Sequence, residues 1–202
     1  MNKTIDKLLE KSLQEGMSYK SYIALVNKLL KEGKSTGQTQ NEDYLNYSKL
    51  SERRMKRWDK TFKMAEEDQR FFENWPKAIT FLTVSEGWCG DAAHALPIIN
   101  KITEIAPKLN LKIVLRDDND ELIGNFLTNG AKSIPKLIAL DQENNVLFTW
   151  GARPKEATNM VNEFKEKHGE LTQEFKEDLQ MWYNKDKGQS ILKDIKSELE
   201  FL

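Results

Sequence analysis

The apolar residues of this chain change period at Pro76, and that change limits the possible folds more than any other feature. Ahead of it, in "YLNYSKLSERRMKRWDKTFKMAEEDQRFFENW" (44–75), Leu45, Leu50, Met55, Trp58, Phe62, Met64 and Phe71 drift around a helix surface. The pattern predicts one long helix that Pro76 ends, since proline lacks the amide donor and clashes with the preceding turn. Beyond it, "AITFLTV" (78–84) is a short run rich in β-branched and aromatic residues, the pattern of a strand buried on both faces. A turn containing Cys89 follows, then a helix from about Asp91 to Ala106 with a broad apolar stripe, a second strand "LKIVLRD", and a short helix for which Asn119 is the candidate cap. After Pro135, "KLIAL" and "VLFTW" read as a hairpin around Asp141–Asn145. The order β-α-β-α-β-β-α predicts an α/β core. Helices flank it: two short ones lie between Ile5 and Lys31, interrupted near Gly16, and two or three helices finish the chain over 155–167, 173–183 and 191–202. "KEGKSTGQTQNED" is a connector between the early helices.

Bulk properties narrow the function. The 202 residues carry formal charge −1, so no single-sign field recommends nucleic acid or an anionic membrane as partner. No run approaches the ~20 apolar residues that cross a bilayer. The first residues have no apolar stretch of the signal-peptide kind, so the expected location is the cytoplasm. A single cysteine excludes an intramolecular disulfide and fits a reducing compartment, while leaving open a mixed disulfide with another molecule. The Asn-x-Ser/Thr matches at Asn2 and Asn46 then read as chance. The basic cluster Arg53, Arg54, Lys56 and Arg57 reads as a solvated helix face, with a docking surface for an acidic partner as the alternative.

Cys89 sits where a buried strand turns into a helix, so its sulfur should meet unpaired backbone N–H groups and the positive end of the helix dipole, which favour a thiolate. Asp91, in the first turn, opposes that thiolate if it lies close to sulfur; it reads as a helix-start acid, with an acid/base role as the alternative. His94, five residues on, points away from the cysteine and reads as a surface or packing histidine. One Cys with the distant His94 and His168 has no zinc spacing, and Asp117–Glu121 lacks the pattern of a calcium loop, so no metal and no cofactor are expected.

"WCGDAAHALP" resembles the thioredoxin active-site segment, Pro97 included, and "SIPKLIALD" resembles the segment that in thioredoxins carries a cis proline opposite the active cysteine; Gly151 after the last strand fits as well. With "LRDDND", "FLTNGAKSIPKLI" and "GKSTGQTQ", the chain is similar to a bacterial thioredoxin-like family with a monothiol Trp-Cys-Gly-Asp-Ala site. The resemblance covers about residues 59–167. It implies a thioredoxin-like fold, a central mixed β-sheet flanked by helices, over 59–168, with an N-terminal helical extension (1–58) packed on the core and a C-terminal one (169–202). It also implies Cys89 as the reactive residue, supported by Trp88, Gly90, Asp91 and Ala92, with Ser133, Ile134 and Pro135 presenting backbone to a substrate. Trp88 shields the sulfur or is structural, and Gly90 allows close approach to it.

Two departures shape the expected mechanism. Ala92 stands where the resolving cysteine would be, and Thr83 where thioredoxins keep a buried Asp. The expected function is therefore a monothiol thiol–disulfide oxidoreductase: Cys89 forms a mixed disulfide with a protein or low-molecular-weight disulfide, and an external thiol such as glutathione, bacillithiol or a protein thiol resolves it. The alternatives are a redox-inactive module that binds peptide or protein through the same groove, a cluster shared between two chains, and a peroxide-sensing cysteine. A homodimer is compatible with the added helices.

Overall fold

The computed structural model describes residues 3–202. Asn2, one of the two Asn-x-Ser/Thr matches, lies outside them. The chain runs α1 (Lys3–Glu15), α2 (Tyr19–Lys31), α3 (Glu42–Thr61), α4 (Glu66–Glu73), β1 (Ile79–Ser85), α5 (Gly90–Ile105), β2 (Leu109–Leu115), α6 (Asp120–Gly124), β3 (Lys136–Leu140), β4 (Val146–Gly151), α7 (Lys155–His168), α8 (Gln173–Asp186) and α9 (Gln189–Glu200). The sheet order is β2-β1-β3-β4. β1 pairs parallel with β2 and antiparallel with β3, and β3 pairs antiparallel with β4. This is the mixed sheet of a thioredoxin-like α/β fold with added helices.

β1 lies second in the order and is buried along nearly its whole length, which is why its sequence is apolar without alternation. The outer edge of β2 is covered from within the chain: Met17, in the turn between α1 and α2, exchanges two backbone hydrogen bonds of 2.8 Å with Ile113. α5 is buried almost all round, from Ala92 through Ile99 and at Ile102, because it packs between β2 on one side and α3, α4 and α9 on others. Burying each of its fully enclosed isoleucines contributes ~1.5–3 kcal/mol.

The long helix expected over 44–75 is two helices. Phe62 leaves α3 with extended backbone (φ −64°, ψ 132°) and Ala65 enters α4 with φ −65°, ψ 150°, although no proline or glycine lies between them. Thirty-two residues of unbroken helix would run ~48 Å, far past the end of the shorter α5 on which α3 packs. The break lets α4 return across α5 and bury Phe72 and Trp75, and Gln189 Nε2 satisfies the freed Lys63 carbonyl at 3.2 Å. Asn119 also departs from expectation. It occupies the N-cap position of α6 without a side-chain cap; its side chain donates to the Leu115 carbonyl at 2.9 Å and accepts from Ser12 at 3.2 Å.

Among the described residues no helix is long and apolar enough to cross a membrane. Residue 58, the expected limit of the N-terminal extension, falls inside α3.

Candidate functional site

β1 delivers the chain to the start of α5, and Cys89 is the N-cap of that helix (φ −75°, ψ 115°). Its Sγ accepts from the Ala92 amide at 3.4 Å and donates to the Ile134 carbonyl at 3.2 Å. The following peptide bond, Ile134–Pro135, is cis. Cys89 is 7% exposed, and burial together with the Asp91 carboxylate pushes its thiol up to about 12, against the pull of the Ala92 and Asp91 amides and of Arg153. The helix-start thiolate expected from the dipole is thus outweighed: two amides cannot offset loss of water plus a neighbouring negative charge.

That charge is firmly held. Asp91 pairs with Arg153 (Nη2 to Oδ2, 2.7 Å), and Tyr183 of α8 donates its hydroxyl to Asp91 Oδ1 at 3.0 Å. Burial raises Asp91 while Arg153 and the Tyr183 hydrogen bond oppose the rise. Burial and Asp91 lift Tyr183 well above the usual phenol range, so it stays a donor. With both oxygens occupied, Asp91 anchors β4's exit and α8 to the first turn of α5.

One turn further, His94 is a packing histidine. It is 2% exposed and stacks on Tyr183 with ring centroids 4.1 Å apart. Trp58 Nε1 can only donate, and it reaches His94 Nδ1 at 2.9 Å, so the imidazole proton sits on Nε2 and is donated to Gln180 Oε1 at 2.8 Å. Burial pulls His94 down to about 3, leaving it neutral.

The turn before Cys89 is braced by the connector at 32–41, which is no loose linker. Thr36 is buried, and its Oγ1 accepts from the Gly87 amide at 2.7 Å. Buried Glu86 accepts from the Asp117 amide at 3.0 Å, and Asp117 accepts from the Gln38 amide at 3.0 Å. Trp88 is half-buried, edge-on to Tyr44 at 5.0 Å and under the Arg116 guanidinium at 4.8 Å. Gly90 also leaves room for a neighbouring side chain. A Cβ there would come within 3.3 Å of Arg54 Nη1, so the glycine makes way for a guanidinium. Ala92 and Thr83 are buried, and among the described residues Thr83 Oγ1 finds no hydrogen-bond partner.

Above the sulfur lies a cavity of about 740 Å³. Cys89, Trp88 and Ile134 contribute to its lining, with α3 adding Leu50 and Arg54, and α8 adding Leu179 and Gln180. Ser133 lines it as well, whereas Ala92 and Pro135 are not among its lining residues. The expected residues Trp88, Cys89, Gly90, Asp91, Ser133 and Ile134 thus share one cavity, although they come from segments more than forty positions apart. Arg153, Tyr183 and Arg116 were not foreseen. Nothing local marks them, because each reaches the site from a separate element; Arg54 was visible only as one member of a basic run. No group of three or more metal-ligating side chains occurs among the described residues.

Three comparisons bear on this arrangement. A family model described as Thioredoxin matches residues 37–168. Among solved structures, a protein of unknown function from Pseudomonas aeruginosa superposes with TM-score 0.62 at 14% identity, over 92% of each chain. An HIV epitope scaffold superposes with TM-score 0.59, also at 14% identity, over 92% of this chain and 99% of the scaffold. At that identity these two likenesses speak for the fold alone. No curated protein matches the chain.

Proposed function

The chain belongs to the thioredoxin family, and we propose that it is a monothiol thiol–disulfide oxidoreductase acting through Cys89. One observation carries the reading: Sγ lies between the Ala92 amide and the Ile134 carbonyl, at the start of a buried helix and on the lining of an open cavity. In the first step Cys89 Sγ attacks one sulfur of a disulfide R–S–S–R. An S–S bond forms to Cys89, the original S–S bond breaks, and the Cys89 proton leaves with the departing R–SH. In the second step an external thiol R′–SH attacks the R sulfur of the mixed disulfide, gives R–S–S–R′ and returns the proton to Cys89. The pair is a net exchange without gain or loss of electrons. No internal thiol can take the second step, because Cys89 is the only cysteine.

The environment of the sulfur sets the tempo. With burial and Asp91 holding its pKa well above that of a free thiol, Cys89 is overwhelmingly the protonated thiol at neutral pH, so attack is slow. The same property makes Cys89 a poor leaving group, and the mixed disulfide is correspondingly persistent. Such chemistry suits a reducing compartment such as the cytoplasm, where a low-molecular-weight or protein thiol can serve as resolving partner. The core responsible is proposed to span 59–168, flanked by helical extensions.

The test is intact-mass measurement after incubation with a small disulfide, with Cys89→Ser as control. A single adduct that a dithiol removes is the expected result. Absence of adduct, while alkylation in denaturant proves the thiol free, would favour the second reading, a redox-inactive binding module. That reading draws on one observation in particular, the suppressed Cys89 thiol at a site where Ala92 stands in place of a second cysteine.

A further inference from the structure

We propose that the cavity over Cys89 selects small disulfides carrying a carboxylate on a short chain, and that Arg54 binds that carboxylate. This rests on the exchange reading above and names the substrate class of the same site. Size is the first argument. At about 740 Å³ the cavity lies within the ~300–1,000 Å³ of small-molecule sites. α3 and α8 both contribute to its wall, so the sulfur is approached through a pocket.

Charge is the second argument. Of the cationic side chains lining the cavity, Arg153 is neutralised by Asp91, Arg116 by Asp117 at 2.8 Å, and Lys132 by Asp120 at 2.5 Å. Lys176 and Glu177 are exposed neighbours of opposite sign, whose fields water screens. Arg54 is the exception. It is half-buried, and among the described residues it makes no hydrogen bond and no ion pair. Asp91, the acid whose charge acts on Arg54, has both oxygens committed to Arg153 and Tyr183. A guanidinium drawn partly out of water without a carboxylate of its own is costly, and a ligand carboxylate meeting its planar fork offsets that cost. Burial and the Arg57 charge already pull Arg54 below its ordinary range, with only Asp91 opposing.

Position is the third argument. Arg54 Nη1 lies against Gly90, the residue after Cys89, with no side chain between. A carboxylate at Arg54 and a disulfide at Sγ are therefore a short chain apart. Leu50, Leu179 and Trp88 supply apolar surface for the methylenes joining them.

The experiment compares rates of mixed-disulfide formation with three disulfides of similar size: 3,3′-dithiodipropionate (dianion), 2-hydroxyethyl disulfide (neutral) and cystamine (dication). The expected order is dianion, neutral, dication, with the dianion ahead of the neutral compound by ~10-fold or more at low salt and less at high salt. Arg54→Gln, with Arg54→Lys to separate charge from fork geometry, should collapse that ratio towards one. Equal rates for all three, or a ratio untouched by Arg54→Gln, would overturn the substrate class while leaving exchange intact. A short acidic peptide disulfide that outpaces the dianion would overturn the small-molecule assignment. If none reacts, the exchange reading fails, and calorimetry of dithiodipropionate with Cys89→Ser decides the rest: binding that Arg54→Gln abolishes supports the class, and no binding overturns it.

Discussion

At the scale of single residues, the outcome at Cys89 is a contest of known sign. Burial is the larger cause of its raised pKa and Asp91 the second. Asp91→Asn removes only the second, so the midpoint of the alkylation rate against pH should fall from near 12 yet stay above the ordinary 9.0. Iodoacetamide rates across pH 8–12 measure it, and a midpoint that does not move would remove Asp91 from the account. For stability the sign is equally definite. The folded chain holds this proton more tightly than the unfolded one, so Cys89 costs nothing below about pH 9 and stability falls as pH rises towards 12. The residue types at the centre were legible in "WCGDAAHALP", because a strand-to-helix turn constrains them locally. The charge state of the sulfur was not, since it depends on how much water the later helices exclude.

At the scale of elements, α8 is fastened to α5 by side chains that no periodicity could have paired. Tyr183 bonds Asp91 across 92 positions, and Gln180 bonds His94 across 86. Tyr183→Phe keeps the stacking ring but deletes a hydrogen bond to a charged group, an expected loss of ~1.5–3 kcal/mol. Urea denaturation reads the loss, and hydrogen exchange should locate faster opening in α8. Gly151, at the end of β4, is a second such joint. Its φ is +113°, and a Cβ there would lie 2.1 Å from the Pro135 carbonyl oxygen. Gly151→Ala should therefore cost at least ~2–3 kcal/mol in the same denaturation assay, and a neutral result would contradict the described β3–β4 geometry. Elements whose periodicity is strong, such as α5 and the β3–β4 hairpin, were readable in advance. The break between α3 and α4 was not, because residues 62–65 carry no helix-breaking residue and the chain turns there to fit the packing around α5.

At the scale of the whole molecule, one buried imidazole links sheet-side and outer helices, and its titration should report global unfolding. His94 is ordinarily half-protonated at 6.5 and is held down to about 3 in the fold. Its folded pKa is depressed, so the stability it contributes is present above pH 6.5 and is lost as pH falls towards 3, at up to ~1.4 kcal/mol per pH unit. His94→Gln should flatten that acid limb in thermal melts between pH 7 and 4; an unchanged limb would assign acid sensitivity elsewhere. The sequence by itself determined the α/β order, the strand-to-helix cysteine turn and the absence of a resolving thiol, because each is a matter of local period or of which residue types exist at all. Only the tertiary structure decided that Cys89 rests as a protonated thiol, that Asp91 is spent on Arg153 and Tyr183, and that Arg54 lines the pocket with no ion pair among the described residues. Burial and long-range pairing set those three states, and neither quantity exists until the helices are packed.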